Sequence, residues 1–143
     1  MELIEPLLKN GTLQLIFSGK AHPNDLTGKE IVSKMVQMAK KYPSSIAFVQ
    51  DYDMHVGAML TRGCDVWLNT PLRPLEASGT SGMKAAMNGV LNLSILDGWW
   101  PEGCINGVNG WQIGDGTQGE GEEQNDRDRD SLYKTLFDQV MPA

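Results

Sequence analysis

The sequence has only two cysteines, Cys64 and Cys104, among its 143 residues, and it has no long apolar run. Two cysteines are too few for a disulfide framework, and their spacing matches no metal-binding motif. No apolar stretch approaches the roughly 18–20 residues that are needed to cross a bilayer. The first residues also lack the basic and apolar regions of a secretory signal. The sequence therefore predicts a protein of the reducing cytoplasm with no membrane partner.

Positive charge is also scarce, and the negative charge is unevenly distributed along the chain. The formal net charge is −6, from 18 acidic and 12 basic residues. Seven acidic residues and two arginines lie between Asp115 and Asp130, which places five of the six net negative charges in this segment. We predict that residues 114–130 form an acidic, solvated loop. The remaining chain has no basic footprint that a nucleic-acid partner would require.

Short apolar runs alternate with helical patterns, which is typical of a parallel sheet covered by helices. A capping box at Thr27 and Glu30 indicates one helix, and Asp53 is a candidate N-cap for another. The predicted strands span residues 13–17, 45–50, 64–69, 90–96 and 110–113, and the second is expected to be buried on both faces. We predict an α/β fold with a doubly wound parallel sheet. Ligands bind such sheets at the loops beyond the carboxyl ends of the strands.

The densest chemistry lies in the loop Glu76-Ala77-Ser78-Gly79-Thr80-Ser81-Gly82-Met83-Lys84. Its two glycines and three hydroxyl side chains precede a short helix predicted from about residue 83 to 88. Backbone N–H groups there can approach an anion or a hydroxylated ligand closely. Lys84, expected in the first turn of that helix, is a candidate amine nucleophile or Schiff-base former. The alternative from composition alone is a glycine-rich turn with a solvated lysine.

The histidines and two adjacent tryptophans are weaker candidates for functional residues. His22 and His55 have no third ligand at zinc-site spacing, so we predict no metal site. Trp99 and Trp100 either stack on a sugar or close the edge of a core, and the second arrangement is the commoner one.

The segment Glu76–Lys84, followed by Ala85-Ala86-Met87-Asn88-Gly89, resembles the pyridoxal-phosphate attachment segment of the α-glucan (glycogen, starch and maltodextrin) phosphorylases. Further motifs in the same order resemble the bacterial and archaeal branch of that family, namely Gly19-Lys20-Ala21-His22-Pro23, Asp51-Tyr52-Asp53, Asp65-Val66-Trp67-Leu68-Asn69, Arg73-Pro74-Leu75 and Leu96-Asp97-Gly98-Trp99-Trp100. The resemblance implies that residues 1–143 form a partial C-terminal, Rossmann-like domain of a two-domain glycosyltransferase (GT-B) fold.

The resemblance also implies a cofactor, pyridoxal 5′-phosphate, and three residues that bind it. Lys84 would be the lysine to which the cofactor is attached. Thr80 would help to hold the cofactor phosphate or the substrate phosphate, and Tyr52 would lie against the cofactor. Lys84 and Thr80, together with Glu76, are the catalytic residues that the resemblance implies.

The implied reaction is reversible phosphorolysis of terminal α-1,4 links, which gives α-glucose 1-phosphate with retention. Glu76 would accept hydrogen bonds from glucose hydroxyls, while Ser78 and Gly79 would offer backbone N–H groups to the same sugar. The implied partners are the α-1,4-glucan, phosphate, glucose 1-phosphate and the remainder of a phosphorylase chain. The family's basic Lys-Arg and Tyr-Lys motif would lie upstream of Met1, so the 143-residue chain alone is expected not to turn over.

Two other functions stay open from the sequence. One is a nucleotide-sugar glycosyltransferase of the glycogen-synthase kind, which shares the two-domain architecture. The other is a non-catalytic α/β module that binds a sugar or a phosphate. Lys84 separates the first of these from a phosphorylase, because a nucleotide-sugar transferase has no use for a Schiff-base lysine.

Overall fold

The computed structural model describes residues 2–117, 119 and 121–143 of the chain. The chain divides into two compact units, Met1–Gly57 and Ala58–Ala143, and the assignment of residues 1–143 to one partial C-terminal domain stays a prediction. The cause is the strand pairing, because each unit contains its own parallel sheet, one of two strands and one of three. The prediction of an α/β fold with parallel strands is confirmed.

The first unit is built around two parallel strands joined by a long helix. Its elements are a 3₁₀ turn (Glu2–Ile4), α1 (Glu5–Lys9), β1 (Leu15–Ser18), α2 (Leu26–Lys41), β2 (Ile46–Val49) and the start of α3 (Met54–Gly63). In the β1–β2 ladder, Leu15 pairs with Ile46. Parallel neighbours need a crossover connection, and α2 supplies it. Among the described residues of this unit, the buried apolar side chains are Ile4, Leu8 and Ile46.

An ionic cluster around Glu5 joins α1 to the end of α2. The Tyr42 hydroxyl donates to Glu5 Oε1 at 2.6 Å, and the Lys9 and Lys41 ammonium groups lie 3.1 and 3.7 Å from the same oxygen. The hydrogen bond from Tyr42, followed by the interactions with Lys9, lowers the pKa of Glu5 to about 2. The Glu5 carboxylate is therefore stabilised in its ionised form by three groups, Lys9 of α1 and Lys41 and Tyr42 at the end of α2.

Two predictions for this unit are wrong. Asp25, rather than Thr27, is the N-cap of α2, and its Oδ1 accepts the Gly28 N–H at 2.8 Å. The helix begins at Leu26, so Thr27 already lies inside its first turn and cannot cap it. The second strand is not buried on both faces either. Ile46 is buried but Ala47, on the opposite face of β2, is exposed.

The second unit contains a three-stranded parallel sheet in the order β3-β4-β5. Its elements after α3 are β3 (Val66–Asn69), α4 (Thr80–Met87), β4 (Leu91–Ile95), α5 (Trp100–Gly103), β5 (Gly110–Ile113), α6 (Gly121–Thr135) and a π-helical turn (Leu136–Val140). Helix α4 forms the crossover between β3 and β4, and α5 lies within the connection from β4 to β5. The centre of the sheet is therefore β4, whose carboxyl end leads to residues 96–99.

The core of this unit lies on β4 and β5. Leu93, Ile95, Trp111 and Ile113 form one buried cluster, and Val66, Leu132 and Val140 pack against it. Among the described residues, no helix is long and apolar enough to span a bilayer.

The acidic segment is the largest correction to the predicted architecture. Residues 114–130 were expected to form a loop, but α6 begins at Gly121 and continues to Thr135. Ion pairs at helical spacing support it, namely Glu123–Arg127 at i,i+4 and Asp126–Arg129 at 2.8 Å and i,i+3. Acidic side chains in the first turn of a helix are also favoured by the macrodipole. The parts of the predicted loop at positions 118 and 120 lie outside the described residues.

Candidate functional site

Helix α4 carries the lysine that the sequence singles out. The helix begins at Thr80, three residues earlier than predicted, and Lys84 is its fifth residue rather than a member of the first turn. Gly79 is the N-cap, with a φ of +83° that favours glycine, and no side chain of the described residues caps the helix. Met83 N–H donates the first intrahelical bond, to Gly79 O at 3.3 Å. The N–H groups of the first turn therefore precede the helical ladder and point out of its end.

Thr80 and Lys84 lie one turn apart on α4. Residues four apart share a helix face, and both of these side chains are exposed. Side chains on a helix lean toward its N-terminus, so the Lys84 stem extends over the turn that Thr80 begins. A hydroxyl and a primary amine thus share one exposed surface next to an uncapped helix end.

The residues before the helix form a tight turn around the Glu76 carboxylate. Glu76 Oε1 accepts the Gly79 N–H at 2.9 Å and the Ser78 N–H at 3.3 Å, and all three residues are half-buried. The structure therefore brings together the three residues that the sequence assigned to sugar binding. It pairs them with one another, however, so a sugar that used both amides would have to take the place of Glu76 Oε1.

Residues 97–99, in the loop at the carboxyl end of β4, form hydrogen bonds to this turn. Asp97 Oδ2 accepts the Glu76 N–H at 3.0 Å, and Asp97 Oδ1 accepts the Gly98 N–H at 3.0 Å. Trp99 N–H donates to Ser78 O at 2.9 Å. The sequence reasoning gave no role to Asp97. The available signal was its place in the segment Leu96–Trp100, directly after a buried strand.

Close packing of glycine explains why the first turn of α4 sits against β4. A Cβ on Gly82 would lie 2.8 Å from Asn92 Oδ1 and 3.2 Å from Trp99 Nε1. Asn92, the second residue of β4, is 1% exposed, and its Nδ2 donates to Gly82 O at 3.2 Å. This buried amide is a second residue that the sequence reasoning missed, and a polar side chain inside an apolar strand was the signal for it.

Tyr52, the third predicted cofactor contact, belongs to the first unit. Its side chain is 41% exposed, and its hydroxyl would lie 2.7 Å from a Cβ placed on Gly57. Gly57 thus leaves room for the phenol against the start of α3. The contact between Tyr52 and the cofactor stays a prediction.

The two adjacent tryptophans have different surroundings. Trp100 is 1% exposed and donates through Nε1 to Trp111 O at 3.3 Å, so it belongs to the core. Trp99 is half-buried, meets Trp100 edge to face with 5.1 Å between ring centroids, and closely approaches Gly79 and Gly103. For Trp100 the structure confirms the role in closing a core.

Parallel strands joined by crossover helices, with a glycine-rich turn before α4, define an α/β protein of the Rossmann-like type found in GT-B glycosyltransferases. Anabaena HepE, solved in complex with UDP-glucose, has a similar fold with a TM-score of 0.51, over 98% of this chain and 45% of that chain. At 15% sequence identity, this likeness shows the fold alone. Residues 6–101 match the model of the carbohydrate phosphorylase family, and the chain belongs to that family.

Three similar relatives come from the bacterial and archaeal branch that the motifs indicated. Glycogen phosphorylase of Aquifex aeolicus is 54% identical over 91% of this chain, and maltodextrin phosphorylase of Thermococcus litoralis is 52% identical over 90%. Glycogen phosphorylase of Mycobacterium tuberculosis is 49% identical over 91%. The chain spans 19%, 16% and 15% of the lengths of these three relatives. The resemblance inferred from the motifs is thereby confirmed at the level of the family.

Proposed function

We propose that this chain is part of an α-1,4-glucan phosphorylase, which releases α-glucose 1-phosphate from α-1,4-glucans by reversible phosphorolysis with pyridoxal phosphate on Lys84. The observation that carries the proposal is the pairing of Thr80 and Lys84 on one exposed face of α4, beside an uncapped helix N-terminus. The relatives named glycogen and maltodextrin phosphorylase support the same activity. Membership of the carbohydrate phosphorylase family favours it over the nucleotide-sugar transferase.

The donors at the start of α4 fit a ligand that carries both an aldehyde and a phosphate. Lys84 offers an exposed primary amine for the aldehyde. The N–H groups of Thr80, Ser81 and Gly82 precede the first intrahelical bond, and such groups bind phosphate readily. The Thr80 hydroxyl adds a donor on the same face as the amine. When bound, pyridoxal phosphate would supply its 5′-phosphate for proton transfer with the substrate phosphate.

Glu76 is arranged to bind a sugar while its own orientation is fixed. Both backbone donors of the turn use Oε1, and among the described residues Oε2 has no hydrogen bond. A carboxylate has about four acceptor positions, so Oε2 can accept one or two glucose hydroxyls without displacing the Ser78 and Gly79 amides. In this arrangement the two amides orient the carboxylate, and the sugar contact predicted for them is indirect.

The proposal includes a cytoplasmic setting, with the glucan, phosphate, glucose 1-phosphate and the remainder of a phosphorylase chain as partners. Cys64 and Cys104 are both free thiols. Burial raises the pKa of each thiol, which keeps both in the protonated, less reactive form at neutral pH. Two unreactive thiols are suited to a reducing compartment.

The cofactor assignment is tested by labelling. The protein is incubated with pyridoxal phosphate and reduced with borohydride, and the modified peptide is mapped. We expect the label on Lys84 and expect Lys84→Arg to abolish it. Lys134→Arg, at an exposed lysine of α6, is the matched control and should label normally. Labelling that persists at another lysine in Lys84→Arg would contradict the assignment.

The activity is tested separately, by measuring glucose 1-phosphate released from maltodextrin and phosphate. Because the chain spans less than a fifth of its named relatives, we expect the isolated 143 residues to be labelled without turnover. A longer protein that contains this chain should be active and should lose activity in Lys84→Arg. Activity that survives in that variant would overturn the proposed function.

A further inference from the structure

The Glu76 turn is held at two points by residues 97–99. The first point is the main-chain N–H of Glu76, which donates to Asp97 Oδ2 at 3.0 Å. The second is Ser78 O, which accepts the Trp99 N–H at 2.9 Å. Residues 76 and 78 are thus tied to the loop that leaves the central strand, one on each side of Ala77. The orientation of the Glu76 carboxylate depends on both ties, because its Oε1 turns back onto the amides of the same turn.

The Glu76 turn and the loop of residues 97–99 are in close backbone contact. Gly98 has a φ of +59°, and a Cβ there would lie 2.6 Å from Ser78 O and 3.0 Å from Glu76 Cγ. Such distances leave no room for a side chain, so the two loops pack main chain against main chain. Among residues 96–99, only Asp97 has a described side-chain hydrogen bond to Glu76.

We propose that Asp97 is a positioning residue for Glu76, which sets the direction of the Glu76 carboxylate toward the sugar. This inference rests on the proposed function, because it assigns Asp97 to the same site. Asp97 acts through Glu76 and makes no contact with the ligand itself. It acts by fixing the Glu76 backbone to the end of β4, so that the sugar-binding carboxylate is ordered before the ligand arrives.

The pattern of hydrogen bonds requires a carboxylate at position 97. Each of its two oxygens accepts one backbone N–H, from Glu76 and from Gly98. Asparagine has the same size and shape but only one acceptor oxygen, and its NH₂ group would face one of these two N–H donors. Asp97→Asn therefore loses one bond and leaves a donor against a donor, although it leaves the volume of the site unchanged.

The first test measures the contact itself, independently of any activity. Amide hydrogen exchange of the peptides that cover residues 75–82 is followed by mass spectrometry in the wild type, in Asp97→Asn and in Asp65→Asn. Asp65 is an exposed carboxylate just before β3 in the same unit, which makes Asp65→Asn the matched control. We expect faster exchange in Asp97→Asn alone. Equal exchange in the two variants would overturn the positioning role.

The second test measures the consequence in an active protein that contains this chain. In Asp97→Asn we expect the KM for glucose 1-phosphate to rise by about tenfold, as for one disturbed hydrogen bond, while borohydride labelling of Lys84 is retained. A purely structural defect would reduce labelling and sugar affinity together. An unchanged KM relative to Asp65→Asn would overturn the inference even if exchange is faster. Absence of labelling and turnover in the wild type would instead overturn the proposed function, and with it the role of Asp97 in sugar binding.

Discussion

The guanidinium of Arg73 and the carboxylate of Asp128 meet at 3.4 Å inside the second unit, where they join the loop before Glu76 to α6. Their side chains are only 5% and 12% exposed. Gln124 donates through Nε2 to the same Asp128 oxygen at 2.8 Å. The Nε and Nη1 groups of Arg73 have no hydrogen-bond partner among the described residues. Asp128 is therefore the counter-charge on which this buried arginine depends.

Asp128→Asn should destabilise the second unit strongly. The substitution leaves the buried Arg73 charge without its carboxylate, and removal of one partner of a buried ion pair typically costs about 3 kcal/mol or more. The expected result is a lower free energy of unfolding in urea, measured by the fluorescence of the tryptophans in this unit.

Asp126→Asn is the matched control, because it makes the same chemical change on the same helix. Asp126 pairs with Arg129 at 2.8 Å, but both side chains are more than half exposed, so the loss should be much smaller. Replacement of both buried partners, as in Arg73→Met with Asp128→Leu, should recover part of the stability. Equal losses in Asp128→Asn and Asp126→Asn would contradict the buried-pair account.

The elements that the sequence predicts well are those marked by a local or periodic pattern of residues. β5 was predicted at residues 110–113 and the structure has Gly110–Ile113, since the apolar run is bounded by glycine. α4 was predicted to start three residues late because Thr80, Ser81 and Gly82 have weak helix propensity. Their helical conformation depends on packing against β4, which no local pattern records.

The same distinction applies to the candidate site. Glu76, Ser78 and Gly79 are adjacent in the chain, and the sequence places them together correctly. Asp97 lies 21 residues from Glu76 and contacts it only because α4 returns the chain to the neighbouring strand. Such a contact depends on the topology of the sheet, and neither composition nor periodicity identifies it.

Asp25→Ala should weaken the start of α2. Loss of an N-cap side chain typically costs about 1 kcal/mol, because the Gly28 N–H then loses its acceptor. Thr27→Ala should have a much smaller effect, since the structure places Thr27 inside the helix. The two variants are compared by thermal unfolding followed by circular dichroism. A larger loss in Thr27→Ala would restore the capping box that the sequence suggested.

Protonation of Glu5 should weaken the first unit between about pH 4.5 and pH 2. The pKa of Glu5 falls from 4.5 to about 2 in the folded chain, first because of the hydrogen bond from Tyr42 and then because of Lys9. A carboxylate with a lowered pKa contributes its full stabilisation above the unfolded value and loses it as the pH falls through the folded value. The Glu5 pKa can be measured directly by the carboxyl carbon shift in NMR.

Tyr42→Phe is the control for this titration. It removes the largest cause of the shift while it keeps the aromatic ring, so the pKa of Glu5 should rise toward 4.5. In the wild type the stability difference from Glu5→Gln should be constant above about pH 4.5 and should shrink as the pH falls toward 2, and in Tyr42→Phe this dependence on pH should be weaker. A Glu5 pKa that does not respond to Tyr42→Phe would show that the lysines dominate.

Gly98→Ala adds only one methyl group, but it should destabilise the second unit and disrupt the Glu76 turn. Its Cβ would lie 2.6 Å from Ser78 O and 2.9 Å from Ser78 C, which are backbone atoms and cannot rotate away. Gly107→Ala is the matched control, since Gly107 has a φ of +76° but no atom of the described residues lies within 4 Å of the new Cβ. The control should lose only about 1 kcal/mol for the left-handed conformation, whereas Gly98→Ala should lose about 2–3 kcal/mol. Urea unfolding measures both losses. Because the clash separates residue 98 from the Glu76 turn, Gly98→Ala should also speed amide exchange in residues 75–82. Equal losses of unfolding free energy in Gly98→Ala and Gly107→Ala would contradict the prediction, since they would show that the two loops are free to move apart.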